Sequence, residues 1–250
     1  MINHIKIVYH QGKQYIPDVT KARVPGIFRG LPVISMAKTD EDALVNLCPL
    51  RAILANPVRL DMGKCSFCGE CARQFPEKIT FTTDYKIAVN ERESLIIREG
   101  TNEPVKINPL KVRSEIHRLF GSSLKLRQVS AGGDNSCEWE LNAANNVQFD
   151  MGRFGIEFVA SPRHADGIVI TGPITKNMAE PLQICYDAIP EPKIIVLVGT
   201  DAISGGVFAD SPAMDRSFLE KYPVDLYIPG NPAHPLTIIN GLLDLTRKRG

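Results

Sequence analysis

The residues of this 250-residue chain whose types and spacing most directly suggest chemistry are Cys65-Ser-Phe-Cys68-Gly-Glu-Cys71. A C-x2-C-x2-C run lets three thiolates grip three corners of one iron–sulfur cubane while the backbone amides of the turn point at its sulfides. Competing readings of the same residues are buried apolar thiols or a zinc site. A third cysteine at the same step, with a lone Cys48-Pro49 upstream, is not the paired spacing of a zinc knuckle. Disulfides are not expected. No stretch approaches the ~18–20 apolar residues that span a bilayer, and the start, Met1-Ile-Asn-His-Ile-Lys, lacks the basic, apolar and small-residue profile of a secretory signal. The expected compartment is the reducing cytoplasm, where cysteines serve as metal ligands, reactive thiols or core residues.

The register of the cysteines sharpens the reading. In bacterial two-cluster ferredoxins the run continues C-x3-C-P, and its fourth cysteine ligates the other cluster. Here that position is Phe75, followed by Pro76. Cys48-Pro49 is the matching C-P of a first motif, and counting back from it by the same spacing reaches Leu44, Glu41 and Lys38. One cluster's ligands are therefore all cysteine (Cys48, Cys65, Cys68, Cys71), whereas the other's positions (Lys38, Glu41, Leu44, Phe75) all lack it. The expectation is one four-iron, four-sulfur cluster and one vacated site filled by side chains. Such a cluster transfers single electrons and does no covalent chemistry on a substrate.

These ligands need a scaffold, and the first hundred residues offer little apolar periodicity. Short candidate strands at 5–9, 79–82, 87–89 and 95–97 are separated by Pro, Gly and charged residues. A polar stretch at 101–109 reads as a linker, with Pro109 opening a helix to about Phe120. The expected organisation is one unit at 1–105 and a second at 106–250. Charge supports two parts, because the near-neutral total of +1 hides 18 basic against 13 acidic residues in 1–120 and 11 against 15 thereafter. That balance gives no sign of a nucleic-acid partner.

Beyond Ser122 strand-like and helical runs alternate: strands at 124–129, 156–160, 167–172, 193–199 and 224–228, helices at 137–146, 177–188 and 236–247. Continuous apolar strands separated by helices predict a doubly wound, flavodoxin-like parallel sheet covered on both faces. Sites in such sheets form where loops leave the carboxyl ends of strands. The expected loops are 131–136, 161–165, 173–175, 201–206 and 230–234.

Those loops read Ala131-Gly-Gly-Asp134-Asn-Ser-Cys137-Glu138-Trp-Glu140, Ser161-Pro-Arg163-His164-Ala-Asp166, Gly199-Thr-Asp201-Ala-Ile-Ser-Gly205-Gly206 and Ile228-Pro-Gly230-Asn231-Pro232. From Ser122 onward the chain resembles the small, electron-transferring subunit of energy-converting NiFe hydrogenases and formate hydrogenlyase, which is homologous to the 20 kDa subunit of respiratory complex I. The first part, including Phe28-Arg-Gly-Leu-Pro32, resembles the two-cluster ferredoxin subunit of the same complexes, fused in front.

The resemblance implies an iron–sulfur subunit of a membrane oxidoreductase. Its expected partners are a hydrogenase-type large subunit, membrane subunits of the same complex and an electron carrier, and its expected location is peripheral, on the cytoplasmic side of the inner membrane. It also implies a proximal cluster whose four cysteines fall here at Asp134, Cys137, Asp201 and Asn231. Hard carboxylate oxygens are a poor match for a cubane, so a second cluster is not expected there. Asp134, Asp201 and Cys137 could instead take a hard cation, or line a filled pocket. Gly132-Gly133 and Gly205-Gly206 would suit a phosphate cradle. Arg163 and His164 are candidates for a partner or proton contact, or a structural turn. Glu138 and Glu140 resemble acidic residues beside the family's cluster, or serve the helix dipole. Cys185 reads as core packing. No residue is expected to bind a substrate of its own. A docking role without through-going electron transfer is the alternative.

Overall fold

A computed structural model describes residues 2–12 and 14–247. Helix α1 (Ile2–Gln11) is followed by β1 (Pro32–Ile34), α2 (Glu41–Leu47), β2 (Ile53–Leu54), β3 (Arg59–Asp61), α3 (Glu70–Gln74), β4 (Ile79–Phe81) and β5 (Ile96–Arg98). Strands β1 and β4 pair antiparallel, with Ile34 opposite Ile79, and bracket both short helices. The β2-β3 hairpin lies between Cys48 and Cys65, and β5 joins it in a three-stranded antiparallel sheet, with Leu60 opposite Ile97.

The second half runs α4 (Ser114–Phe120), β6 (Leu124–Ser130), α5 (Ser136–Ala144), β7 (Ile156–Phe158), β8 (Gly167–Thr171), α6 (Lys176–Asp187), β9 (Ile194–Val198), α7 (Thr200–Ser204), α8 (Ser217–Lys221), β10 (Leu226–Ile228) and α9 (Pro235–Thr246). Five parallel strands form one sheet in the order β10-β9-β8-β6-β7. Counted in chain order this is 2-1-3-4-5, the flavodoxin-like order, with its topological switch point between β6 and β8. Alternation along β9 explains its unbroken apolar run. Ile195 and Leu197 enter one core, while Ile194, Val196 and Val198 enter the other.

Residues on either side of 105 share both cores. The first core joins Ile34, Leu44, Leu60 and Ile79 to Ile168, Ile170, Ile195 and Leu197. The second places Val19, Tyr85 and Ala88 against α4, α5 and α9. The Tyr85 hydroxyl donates to the Val19 carbonyl at 2.9 Å, and Asn240 Nδ2 donates to the same oxygen at 3.0 Å.

Several expected elements differ. Residues 5–9 are helical, because their apolar side chains find no neighbouring strand and the backbone bonds to itself; Ile5, Val8 and Tyr9 stay 65%, 68% and 90% exposed. Residues 87–89 form no strand, although Val89 exchanges two backbone hydrogen bonds with Tyr227 at the sheet edge. The helix expected from Pro109 splits into a 3-10 turn, Pro109–Lys111, and α4. No helix among the described residues is long and apolar enough to cross a membrane.

Candidate functional site

The expected cysteine quartet lies in three different local structures. Cys48 ends α2, and its sulfur accepts the Ala52 N–H at 3.4 Å. Cys65 follows β3, anchored by its N–H to the Asp61 carbonyl at 3.0 Å, and its sulfur accepts the Phe67 N–H at 3.2 Å. Cys71 lies in the first turn of α3, while Cys68 is exposed on the loop before it. Phe67 (φ 55°) and Gly69 (φ 77°) turn the backbone sharply between Cys65 and Cys71, on either side of Cys68. Arg29 clasps this loop from outside through its Nε and the Phe67 carbonyl.

All four cysteines line a single cavity, walled by Leu47, Pro49, Ile53, Leu60 and Phe81, with Glu70 at its rim. Burial and the neighbouring sulfurs push the Cys65 thiol up to about 12 and the Cys71 thiol to about 11. Among the described residues no group of three or more His, Cys, Asp or Glu side chains is placed to hold a metal ion. The thiols surround a cavity instead of a point, and a cubane takes one thiolate at each of four irons. The donor set is soft, the walls are apolar and N–H groups already bond two sulfurs, so these residues fit a [4Fe-4S] group. At the positions vacated by the second motif, Leu44 is fully buried and Phe75 packs against the first core. Glu41 accepts the Asn56 N–H at 3.0 Å, and Lys38 faces solvent.

The second constellation sits at the carboxyl ends of the parallel strands. Asp134 accepts both the backbone N–H (3.0 Å) and the hydroxyl (2.6 Å) of Ser136, which hold its carboxyl below the usual range. Cys137 is buried at the start of α5. Burial pushes its thiol up to about 12, opposed by a bond from the Ala233 N–H and reinforced by the charges of Glu138, Asp201 and Asp134. Glu138 is buried and accepts the Thr171 hydroxyl at 2.6 Å. Asp201, in the first turn of α7, is 8% exposed, and its carboxyl is pushed up to about 6 by burial, then by Asp134 and Glu138. The structure thus gathers Asp134, Cys137 and Asp201, with the turn carrying Asn231 beside them.

The glycines here permit close approach. A Cβ on Gly199 would come 2.4 Å from the Cys137 sulfur, and one on Gly206 would come 1.8 Å from Asp201 Oδ1. Gly133 likewise packs on Gly172, so these glycine pairs are occupied by protein contacts and not opened as a phosphate cradle. One soft and several hard donors do not fit a cubane.

Arg163 and His164 are placed elsewhere. They lie in an exposed 3-10 turn, and neighbouring Asp166 bonds the backbone of Lys125 at the start of β6 (2.6 and 2.7 Å). At ~3.3 Å per strand residue the end of β6, where Asp134 follows, is roughly 17 Å away. Strand β7 is short and the chain returns low on the sheet, which is why this loop misses the others. Glu140 is half-buried, and burial raises its carboxyl. Cys185 packs half-buried against the first core.

The two constellations adjoin. The Thr200 hydroxyl donates to the Cys65 carbonyl at 2.7 Å, and the Thr200 N–H bonds the Gly230 carbonyl at 2.9 Å. A cleft of about 570 Å³ runs between Ser66, Phe67 and Cys68 on one side and Gly230, Asn231 and His234 on the other. His234 escaped the sequence reading. Its ring lies edge-on to Phe28 and Phe149 (5.3 and 5.8 Å), Nδ1 accepts the Leu236 N–H at 3.1 Å, and burial lowers its pKa. The only sequence signal was a helix-capping residue before Pro235.

Fold and site together define an α/β protein of flavodoxin-like strand order whose loops at the strand ends form a polar site beside a cysteine-lined cavity. Residues 135–245 match the family described as NADH ubiquinone oxidoreductase, 20 Kd subunit. A probable membrane-bound hydrogenase subunit, mbhJ of Pyrococcus furiosus, is 35% identical over 130 residues, covering 52% of this chain and 78% of that protein. An NADH-quinone oxidoreductase subunit of Citrifermentans bemidjiense is 45% identical, covering 45% of this chain and 65% of that protein. A solved structure of the membrane-bound sulfane sulfur reductase, an archaeal respiratory membrane complex, matches at 29% identity and TM-score 0.45, over 50% of this chain and 69% of that one. The chain belongs to the family of the complex I 20 kDa subunit and NiFe hydrogenases.

Proposed function

We propose that this chain is the electron-transferring subunit of a hydrogenase-related or complex-I-like membrane oxidoreductase, holding one [4Fe-4S] cluster on Cys48, Cys65, Cys68 and Cys71. The observation that carries the reading is the convergence on one apolar cavity of three thiols from the C-x2-C-x2-C run and a fourth, Cys48, from the end of α2. When bound, the cluster supplies one-electron transfer. The chain's own contributions are to bond the sulfurs of Cys48 and Cys65 through N–H groups, to exclude water with Leu47, Ile53, Leu60 and Phe81, and to expose Cys68 toward the cleft beside Asn231. Pairing of β1 with β4 around α2 and α3 supports a degenerate two-cluster ferredoxin unit within 1–105, followed by the α/β unit at 106–250.

In this reading the protein is peripheral on the cytoplasmic side of the membrane. It contacts a hydrogenase-type large subunit and membrane subunits and receives electrons from a carrier. The position of the usual proximal cluster is vacated, because Asp134, Asp201 and Asn231 cannot replace thiolates. That donor set favours a second reading, a docking subunit in which electrons do not pass onward. Rapid reduction of the purified assembly with a low-potential donor separates the two. Transfer predicts that a Cys65→Ala assembly keeps its subunits but loses reduction of the acceptor subunit. Unchanged acceptor reduction overturns the electron-transfer reading in favour of docking.

A further inference from the structure

A carboxylate in place of a cluster thiolate changes what the position can carry. Asp201 is over nine-tenths buried, and among the described residues its Oδ1 has no hydrogen-bond partner. That oxygen lies against Gly206, where a side chain would collide with it, and the carboxyl feels the charges of Asp134 and Glu138. A buried oxygen left without a donor is costly when ionised, and two acidic neighbours add to that cost.

The cations nearby are committed elsewhere. Arg216 donates to the backbone carbonyls of Pro173, Asp201, Ala202 and Ile203 at 2.8–3.3 Å, closing the end of α7. Arg92, behind Ile203, is paired with Asp61 at 2.6 Å. Glu138 already accepts from Thr171, Asp134 already accepts from Ser136, and Cys137 accepts the Ala233 N–H. Among the described residues the Asp201 side chain is the member of this group with a buried oxygen still open.

We propose that the vacated position is a proton-binding site, with the Asp201 carboxyl as its carrier and Asp134, Glu138 and Cys137 as the surroundings that hold the proton on it. The step is a simple association: a proton from solvent forms an O–H bond on the carboxylate, and no electron is exchanged. Burial and the like charges raise the carboxyl to about 6, so the site loads and empties near neutral pH. The inference is independent of the cluster on the four cysteines, since every group it uses lies at the ends of β6, β8 and β9.

Infrared difference spectra of the full chain between about pH 5 and about pH 8 test it through the carboxylic C=O band, which only a protonated carboxyl gives. The expected result is a band with a midpoint near 6 that vanishes in Asp201→Asn. In Glu138→Gln and in Asp134→Asn the midpoint should move to lower pH, because a like charge has been removed. These two variants carry the test where Asp201→Asn does not fold. Absence of the band, its survival in Asp201→Asn, or a midpoint unmoved by both neighbours overturns the proposal. So does loss of the titration on adding Mg2+ alone, which would assign a cation to the position.

Discussion

The cavity of Cys48, Cys65, Cys68 and Cys71 and the position of Asp134, Cys137, Asp201 and Asn231 touch through Thr200, yet they differ in nearly every chemical respect. The first offers four thiols, apolar walls and N–H groups aimed at sulfur. The second offers one thiol, buried acids and glycine contacts that close the space around them. Softness of the donors, not the presence of a pocket, decides which can hold a cubane. The consequence is a chain laid out like a three-cluster wire that, in our reading, holds one cluster.

The contrast can be broken most severely at the thiols. Cys71→Ala should abolish cluster binding, taking iron from about four per chain toward zero, as measured by metal analysis and visible absorbance. The reverse change sharpens the comparison. Asp134→Cys, Asp201→Cys and Asn231→Cys together, with Cys137 in place, should raise iron toward about eight per chain, because the donors and not the loops are what the position lacks. No gain in iron would mean that the loops themselves have closed.

Smaller effects follow from packing. Leu44, fully buried where a lost cysteine would stand, should cost ~2–5 kcal/mol as Leu44→Ala, measured by denaturant unfolding. Asp201→Asn should act through pH. A carboxyl raised from 3.8 to about 6 in the folded state leaves stability intact below 3.8 and erodes it as pH rises toward about 6, because the native state binds the extra proton. The variant should therefore flatten this part of the pH–Tm curve and melt a few degrees higher than wild type above pH 6. Least of all, Arg73→Ala should change stability by under ~1 kcal/mol, since its pairing with Glu70 is exposed to solvent.

Legibility of the sequence followed the strength of the local signal. Residues 194–198 read as a buried strand because five consecutive apolar side chains fit a sheet covered on both faces, and Ile168, Val169 and Ile170 carry the same signal in 167–171. Ile5, Ile7 and Tyr9 alternate like a strand, but alternation specifies a strand only where a partner edge exists, and α1 has none. Spacing groups Cys48, Cys65, Cys68 and Cys71, and the fold brings all four to one cavity. Asp201 was legible as a position but not as an acid with a raised pKa, because the charges of Asp134 and Glu138 reach it from the segment after β6, a different strand end. The loop of Arg163 and His164 lies apart from the other strand-end loops because β7 ends early, which no local pattern records. His234 was hidden because its ring environment comes from Phe28 and Phe149, more than eighty residues away on the chain.

The central claim is one cluster on four cysteines beside a position that holds none. Iron and acid-labile sulfide per chain, with EPR of the reduced protein, test it most directly. The account predicts about four of each and a single reduced-cluster signal, lost in Cys71→Ala. About eight of each would contradict the vacated position, and bound zinc without sulfide would contradict the cluster itself.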